Sequence, residues 1–281
     1  MKKLLMVLSV ITVVTSFSSC RKKGCMDPTA VNYDAEAKKE DGTCEWEDVN
    51  DYQITFQFSH NYDGVSVSNA DFDNLTFTNQ AGTVHSITKL NYLVSDFRLY
   101  TSSGDSVMID GYQFVSLSDA STFNYTIDQK IPVDTYTGVA FNFGFDSADN
   151  VSGAYADLNV LNWAWPAMLG GGYHNMQFEG KYISNVPDTA SFAYHMGMAR
   201  EITVTDTIFH ANHFLTELSN SEFSLTNNAT IEVKMNIAEW FKNPNNWDLN
   251  TYNAMLMPNF AAQIMMKENG PSVFSVGSIT Q

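Results

Sequence analysis
From Tyr52 onward the chain repeatedly alternates apolar and polar residues one by one. Ile54, Phe56, Phe58 and His60 fall on one side of an extended backbone, and Thr55, Gln57 and Ser59 fall on the other. Near the end, Ile231, Val233, Met235 and Ile237 alternate in the same way with Glu232, Lys234 and Asn236. Further strand-like runs occupy residues 73–78, 84–100, 112–117, 136–143, 173–181, 191–195 and 201–208, the second of them bent or broken. Ala81-Gly82, Ser103-Gly104 and Asn227-Asn228 are turn signals between runs. Short strands at this spacing predict an all-β fold, an antiparallel β-sandwich with long loops, rather than βαβ units. Helix is expected only at 238–242, as a short turn, and at 259–268, as a C-terminal helix. This domain is read as residues 51–281.

Aromatic residues make up 13% of the 281 positions, enough for a substantial buried core. There are 31 acidic against 15 basic side chains, a formal charge of −16, so no basic face is available for nucleic acid. G-x-S-x-G, H-E-x-x-H, P-loop and Rossmann patterns are all missing. Gly170-Gly171-Gly172 precedes a strand, not a helix, and so offers no phosphate-binding N-terminus. Carboxylates are too numerous for counting to exclude a glycosidase pair, but no segment singles one out. A binding protein is expected, not an enzyme.

The first residues name a compartment. Lys2 and Lys3 precede an apolar stretch, residues 4–14, too short to span a bilayer. Small residues Ser18 and Ser19 then lead into Cys20, which resembles a bacterial lipobox. That resemblance implies a lipoprotein signal peptide at 1–19 and a lipid-bearing Cys20. Residues 20–24 would then be the anchor and a basic spacer of Arg21, Lys22 and Lys23, close to anionic headgroups. An ordinary secretory signal is the alternative. Loss of Lys2 and Lys3 with the signal takes the charge from −16 to −18. Position 21 is not the aspartate that resembles an inner-membrane retention signal, so an outer-membrane lipoprotein on the periplasmic side is expected. Lipidation of Cys20 also leaves Cys25 and Cys44 as a pair for a disulfide in an oxidising envelope.

Residues 25–46 resemble the short GC-x-DP-x-A-x-NY…DG-x-C module of exported Bacteroidetes proteins, itself similar to thrombospondin type 3-like calcium loops. Asp27, Asn32, Asp34 and Asp41 supply hard oxygen donors of the type calcium prefers. A stapled spacer without metal is the other reading. A Cys25–Cys44 bridge closing about 20 residues would contribute about 3 kcal/mol in the chain-entropy model. Residues 45–51 form an acidic linker.

Six segments of the main domain together carry a second resemblance: QITFQFSHNYDG (53–64), HSITKLNYLVSDFRLYTSSGD (85–105), GVAFNFGFDSADNVSG (138–153), NWAWPAMLGGGYHNMQFEGKY (162–182), FAYHMG (192–197) and IEVKMNIAEWFKNPNNWDL (231–249). Their order and spacing resemble the MbnP-like family of exported copper-binding proteins, related to MopE and CorA. The resemblance implies a β-sandwich that binds copper for storage, delivery or partner-dependent redox chemistry. In some members an oxidised tryptophan, made by a diheme cytochrome c peroxidase-type partner, completes the site. His60 and His195 lie in the family-like FSH and YHMG segments and are the expected Cu(I) ligands, imidazole being well suited to copper. Trp163 and Trp165 are the candidates for oxidation, with core packing as the alternative.

Other residues receive plainer readings. Tyr173 and Glu179 are read as structural, and Asp146 with Asn150 as a loop-ordering pair, with a second calcium site as the alternative. His210 and His213 form an H-x-x-H pair that would share a face only on a helix. His174 stands where the block leads one to expect an apolar residue, and no role is assigned to it. Met255, Met257, Met265 and Met266 read as core filling. The competing functional classes are a non-catalytic envelope module binding protein or glycan, and a hydrolase that no motif supports.

Overall fold
The computed structural model describes residues 21–46, 51–186 and 188–281. Residues 1–20, which hold the expected signal peptide and the expected lipidation position Cys20, lie outside the described residues. The chain divides into two compact units, Met1–Val49 and Asn50–Gln281.

In the first unit Cys25, Ala30 and Ala37 are the buried apolar side chains among the described residues, too few for a sizeable core. The Cys25–Cys44 disulfide is formed and staples it. The four oxygen donors of the calcium reading each have hydrogen-bond partners within the module. Asp27 accepts the backbone N–H and hydroxyl of Thr29, Asp34 accepts the N–H of Glu36 and pairs with Lys22, and Asp41 accepts both groups of Thr43. Asn32 bridges Thr43 and Glu45. The three aspartates each close a turn on the residue two positions on, while Asn32 ties its segment to residues 43–45.

The second unit is built on strands β1 (Ile54–Tyr62), β2 (Lys89–Thr101), β3 (Ser106–Ser116), β4 (Thr135–Phe143), β5 (Met176–Ile183), β6 (Thr189–Met196), β7 (Phe214–Leu218), β8 (Ala229–Asn236) and β9 (Phe274–Thr280). Helices α1 (Ala156–Val160) and α2 (Phe260–Asn269) accompany them. The alternation in β1 and β8 is real: Ile54, Phe56, Phe58, Ile231, Val233 and Met235 are all buried. These two strands lie side by side in parallel, Phe58 beside Val233, with β9 antiparallel on the far side of β8. The other pairings are antiparallel, as expected. Asn259 caps α2 by accepting the Ala262 N–H.

The larger sheet is forked. β3 pairs along the length of β2. On its other edge β2 pairs first with β5, over Lys89–Tyr92, and then with β4, over Val94–Thr101. A bulge at Asp96, with φ of 51°, accompanies the change of partner. β7 extends the sheet beyond β4, and β6 beyond β5. The switch occurs at Leu93: its carbonyl accepts the Gly144 N–H and its own N–H donates to the Asn175 carbonyl. Residues 144–175 therefore leave and re-enter the sheet at one point. Between those ends the segment folds back on the sheet's outer face, where Leu93, Phe145, Leu158, Trp163 and Tyr173 make a second core.

Several expected strands differ. Residues 73–78 contribute only Phe77–Thr78, because Ser68 and Asp71 cap each other into a helical turn just before them. The 201–208 run is the turn of a hairpin between Ala199–Ile202 and Thr207–His210, closed by Thr203 hydrogen bonds to Asp206. The 173–181 strand starts only at Met176, and β7 and β9 have no counterpart in the expected set.

Two predictions follow from burial and backbone geometry. Gly144 has φ of +82°, and a Cβ there would sit 2.4 Å from Asn175 Oδ1, so Gly144→Ala should cost on the order of 2 kcal/mol by denaturant unfolding. His60 and His85 are buried in the core, and burial pushes both down to about 4. The unfolded chain takes up those protons near pH 6.5 and the folded chain does not, so stability falls as pH drops from 6.5 toward 4. Melting temperature across that window should decline less steeply in a His60→Gln/His85→Gln chain.

Candidate metal centre
The segment that leaves the sheet at Gly144 is ordered by its own polar side chains. Asp146 accepts the N–H groups of Ala148 and Asp149, and Asn150 Oδ1 accepts that of Tyr173. The Tyr173 hydroxyl accepts the Tyr155 N–H and donates to Asn159. Asp146 and Asn150 thus order the loop, and Tyr173 ties it to the 155–159 turn. The carboxylates of Asp96, Asp146 and Asp149 also lie within 4.8 Å of one another.

At the end of this segment, His174 comes down beside β6. Its ring centroid is 5.5 Å from that of His195, 5.4 Å from Trp163 and 4.9 Å from Trp165. Gly197 makes room for the second indole: a Cβ there would lie 2.5 Å from the Trp165 ring. The Trp165 N–H donates to the Leu169 carbonyl, whereas the buried Trp163 N–H has no partner among the described residues. Four groups of metal-binding or redox type thus converge: two imidazoles walled by two indoles.

The imidazoles are held in defined ways. His174 Nδ1 donates to the Trp163 carbonyl at 3.0 Å, which leaves Nε2 with a lone pair and no partner among the described residues. Burial pushes its pKa down to about 4, against the opposing pull of that carbonyl, so the ring is neutral near pH 7. His195 Nε2 lies 2.9 Å from Glu179 Oε1. Burial lowers its pKa too, and Glu179 only partly offsets the shift. Glu179 in turn accepts from Lys89 Nζ at 2.8 Å. Burial pushes the Glu179 carboxyl up, but the bonds from Lys89 and His195 outweigh it and hold it below its ordinary value. One neutral ring nitrogen on each histidine is left for a ligand, and the spacing of the rings is one that a single ion with bonds of about 2 Å can bridge. The donor set fits copper.

The expected pairing of His60 with His195 is not what the fold makes. His60 lies inside the core, 4% exposed, with Nε2 3.1 Å from the Tyr92 hydroxyl and its ring against Phe123. β6 buries Phe192, Tyr194 and Met196, so His195 lies on the opposite, outward face with Gln177 and Glu179. Sandwich alternation puts the two histidines on different sides of the larger sheet, and His174 takes the place given to His60. Glu179, read as structural, is a hydrogen-bond partner of the site. The signal for His174 was its own misfit: a polar ring where the block calls for an apolar one. Among the described residues the H-x-x-H pair joins no group of three metal-binding side chains, and His210 Nε2 lies 2.8 Å from Glu201 across the hairpin. His85 is likewise engaged, by the Tyr62 hydroxyl.

Comparison with known proteins identifies the family and the fold. A family model described as MbnP matches residues 51–263. The solved structure of MbnP from Methylosinus trichosporium superposes with a TM-score of 0.52 at 15% identity, covering 82% of this chain and 99% of that one, a likeness of fold. No curated protein matches. Since the family model spans most of the chain, the protein belongs to the MbnP family.

Proposed function
We propose that this is a copper-binding protein of the cell envelope, holding one Cu(I) between His174 and His195 for storage, delivery or partner-dependent redox chemistry. The observation that carries the reading is the neutral, largely buried imidazole pair, each ring with one nitrogen committed to a hydrogen bond and the other left over. Histidine ligands to metals are commonly fixed in this way through their second nitrogen. Monovalent copper is satisfied by two or three soft or borderline donors, whereas zinc seeks a tetrahedral set. Glu179 meets His195, but among the described residues no third histidine, cysteine or carboxylate lies within 4.8 Å of both rings' ligand atoms. When bound, copper would supply one-electron chemistry at the foot of the two indoles. The chain's own part is to orient two rings, exclude water with Trp163 and Trp165, and keep both rings deprotonated.

The remaining features of the proposal rest on sequence. Cys20 would anchor the protein to the outer membrane on the periplasmic side, and a diheme cytochrome c peroxidase-type enzyme is the proposed partner for oxidation at Trp163 or Trp165. The protein is proposed to bind metal without catalysing a reaction on its own.

Competition with a chromophoric Cu(I) chelator under anaerobic conditions tests the site. Wild-type protein should bind about one Cu(I), and His174→Ala or His195→Ala should each weaken binding by at least about a hundredfold, roughly 2.7 kcal/mol. His60→Ala should leave copper affinity unchanged while lowering thermal stability. Retention of full affinity in His174→Ala would overturn the assignment.

A further inference from the structure
Three adjacent strands place Lys89, Glu179 and His195 in a row beside the imidazole pair. Glu179 on β5 stands directly across from Lys89 on β2, and diagonally from His195 on β6, whose register partner is Gln177. Lys89 Nζ and His195 Nε2 both donate to the same carboxylate oxygen, Oε1, at 2.8 and 2.9 Å. The bond from His195 fixes the ring as the Nε2–H tautomer and leaves Nδ1 as the free nitrogen. His174 is fixed the other way round, with Nδ1–H bound and Nε2 free. The two nitrogens of an imidazole point away from each other. A carboxylate bonded at Nε2 is therefore on the wrong side of the His195 ring to reach an ion at Nδ1.

Two histidines with a carboxylate turned toward the ion would make a donor set that suits divalent zinc. Here the third member is withheld: Lys89 draws Glu179 back along the sheet and neutralises its charge. We infer that Lys89 is a specificity-determining residue, which keeps the Glu179 carboxylate out of the coordination sphere and so makes the centre select a monovalent soft ion over divalent ones. Glu179 is the positioning residue through which it acts, by setting the tautomer of His195. This inference rests on the copper reading above.

The metal-free protein gives the first test. Long-range nitrogen–proton NMR should show His195 protonated at Nε2 in wild type, with that preference lost in Glu179→Ala; an Nδ1–H tautomer in wild type would overturn the inference. Metal titration gives the second, with Co2+ as a visible probe and Zn2+ by competition. Lys89→Met should raise affinity for both divalent ions by about tenfold or more, the scale on which outer-shell partners act. Lys89→Arg should behave as wild type, and Lys89→Met/Glu179→Gln should lose the gain. Divalent affinity unchanged in Lys89→Met would overturn the proposal. Lys89 is well exposed on its strand, and Lys89→Gln serves as the alternative should the methionine variant fail to fold. Absence of Cu(I) binding in wild type would sink the copper reading alone, since the tautomer and the divalent titrations report on Lys89 and Glu179 independently.

Discussion

The backbone of Leu93 is where the larger sheet changes partner, and the placement of the metal centre depends on it. Buried N–H and C=O groups must be paired. In most of β2 they are paired along continuous neighbouring strands. At Leu93 they are divided between Gly144, where one segment departs, and Asn175, where it returns. Those two bonds fix both ends of residues 144–175. The segment cannot float, because Leu158, Trp163 and Tyr173 cover Leu93 and Phe145 on the outer face. His174 is the residue just before the returning bond, so its position is set by the sheet and not by loop chemistry alone.

The histidines show how burial and hydrogen bonding are used together. A buried imidazole resists protonation, and one bonded through a single nitrogen has its tautomer chosen for it. The backbone carbonyl of Trp163 makes that choice for His174, and a carboxylate makes it for His195. A peptide carbonyl carries no charge and does not titrate; a carboxylate does both, which is why the second choice needs Lys89 beside it. His60 has the same depressed basicity without the same neighbours, and its partner is a tyrosine hydroxyl in the core. Low basicity alone does not mark a ligand.

Much of the fold was legible from the order of residue types. Strict alternation gave β1 and β8, and the 259–268 run gave α2. The disulfide followed from three cysteines, one of which precedes the others at a lipobox-like position. What local patterning lacks is information on partners. Nothing in Ile54–Tyr62 says that its neighbour is Ala229–Asn236, or that the two run parallel. The site was half legible for the same reason. In β1 the alternation groups His60 with Ile54, Phe56 and Phe58, and in β6 it separates His195 from Phe192 and Tyr194. Parity thus already put one imidazole inward and the other outward, but only the assembled sheet reveals that inward and outward are different rooms. His174 was unreadable because its placement comes from the fork. In the small module the same aspartates that offer oxygen donors also close turns on the threonines and glutamate two residues on.

The parallel pairing of β1 with β8 has a kinetic consequence. Ile54 meets Ala229, so the smaller sheet cannot zip up until almost the entire chain is available. Closing so large a loop carries an entropic cost that no local contact recovers early, and folds dominated by such distant pairings assemble slowly. The strand that initiates the domain must wait, unpaired along that edge, for one of the last to arrive. Completion of the smaller sheet is thus a late step, after strands of the larger sheet already have their partners.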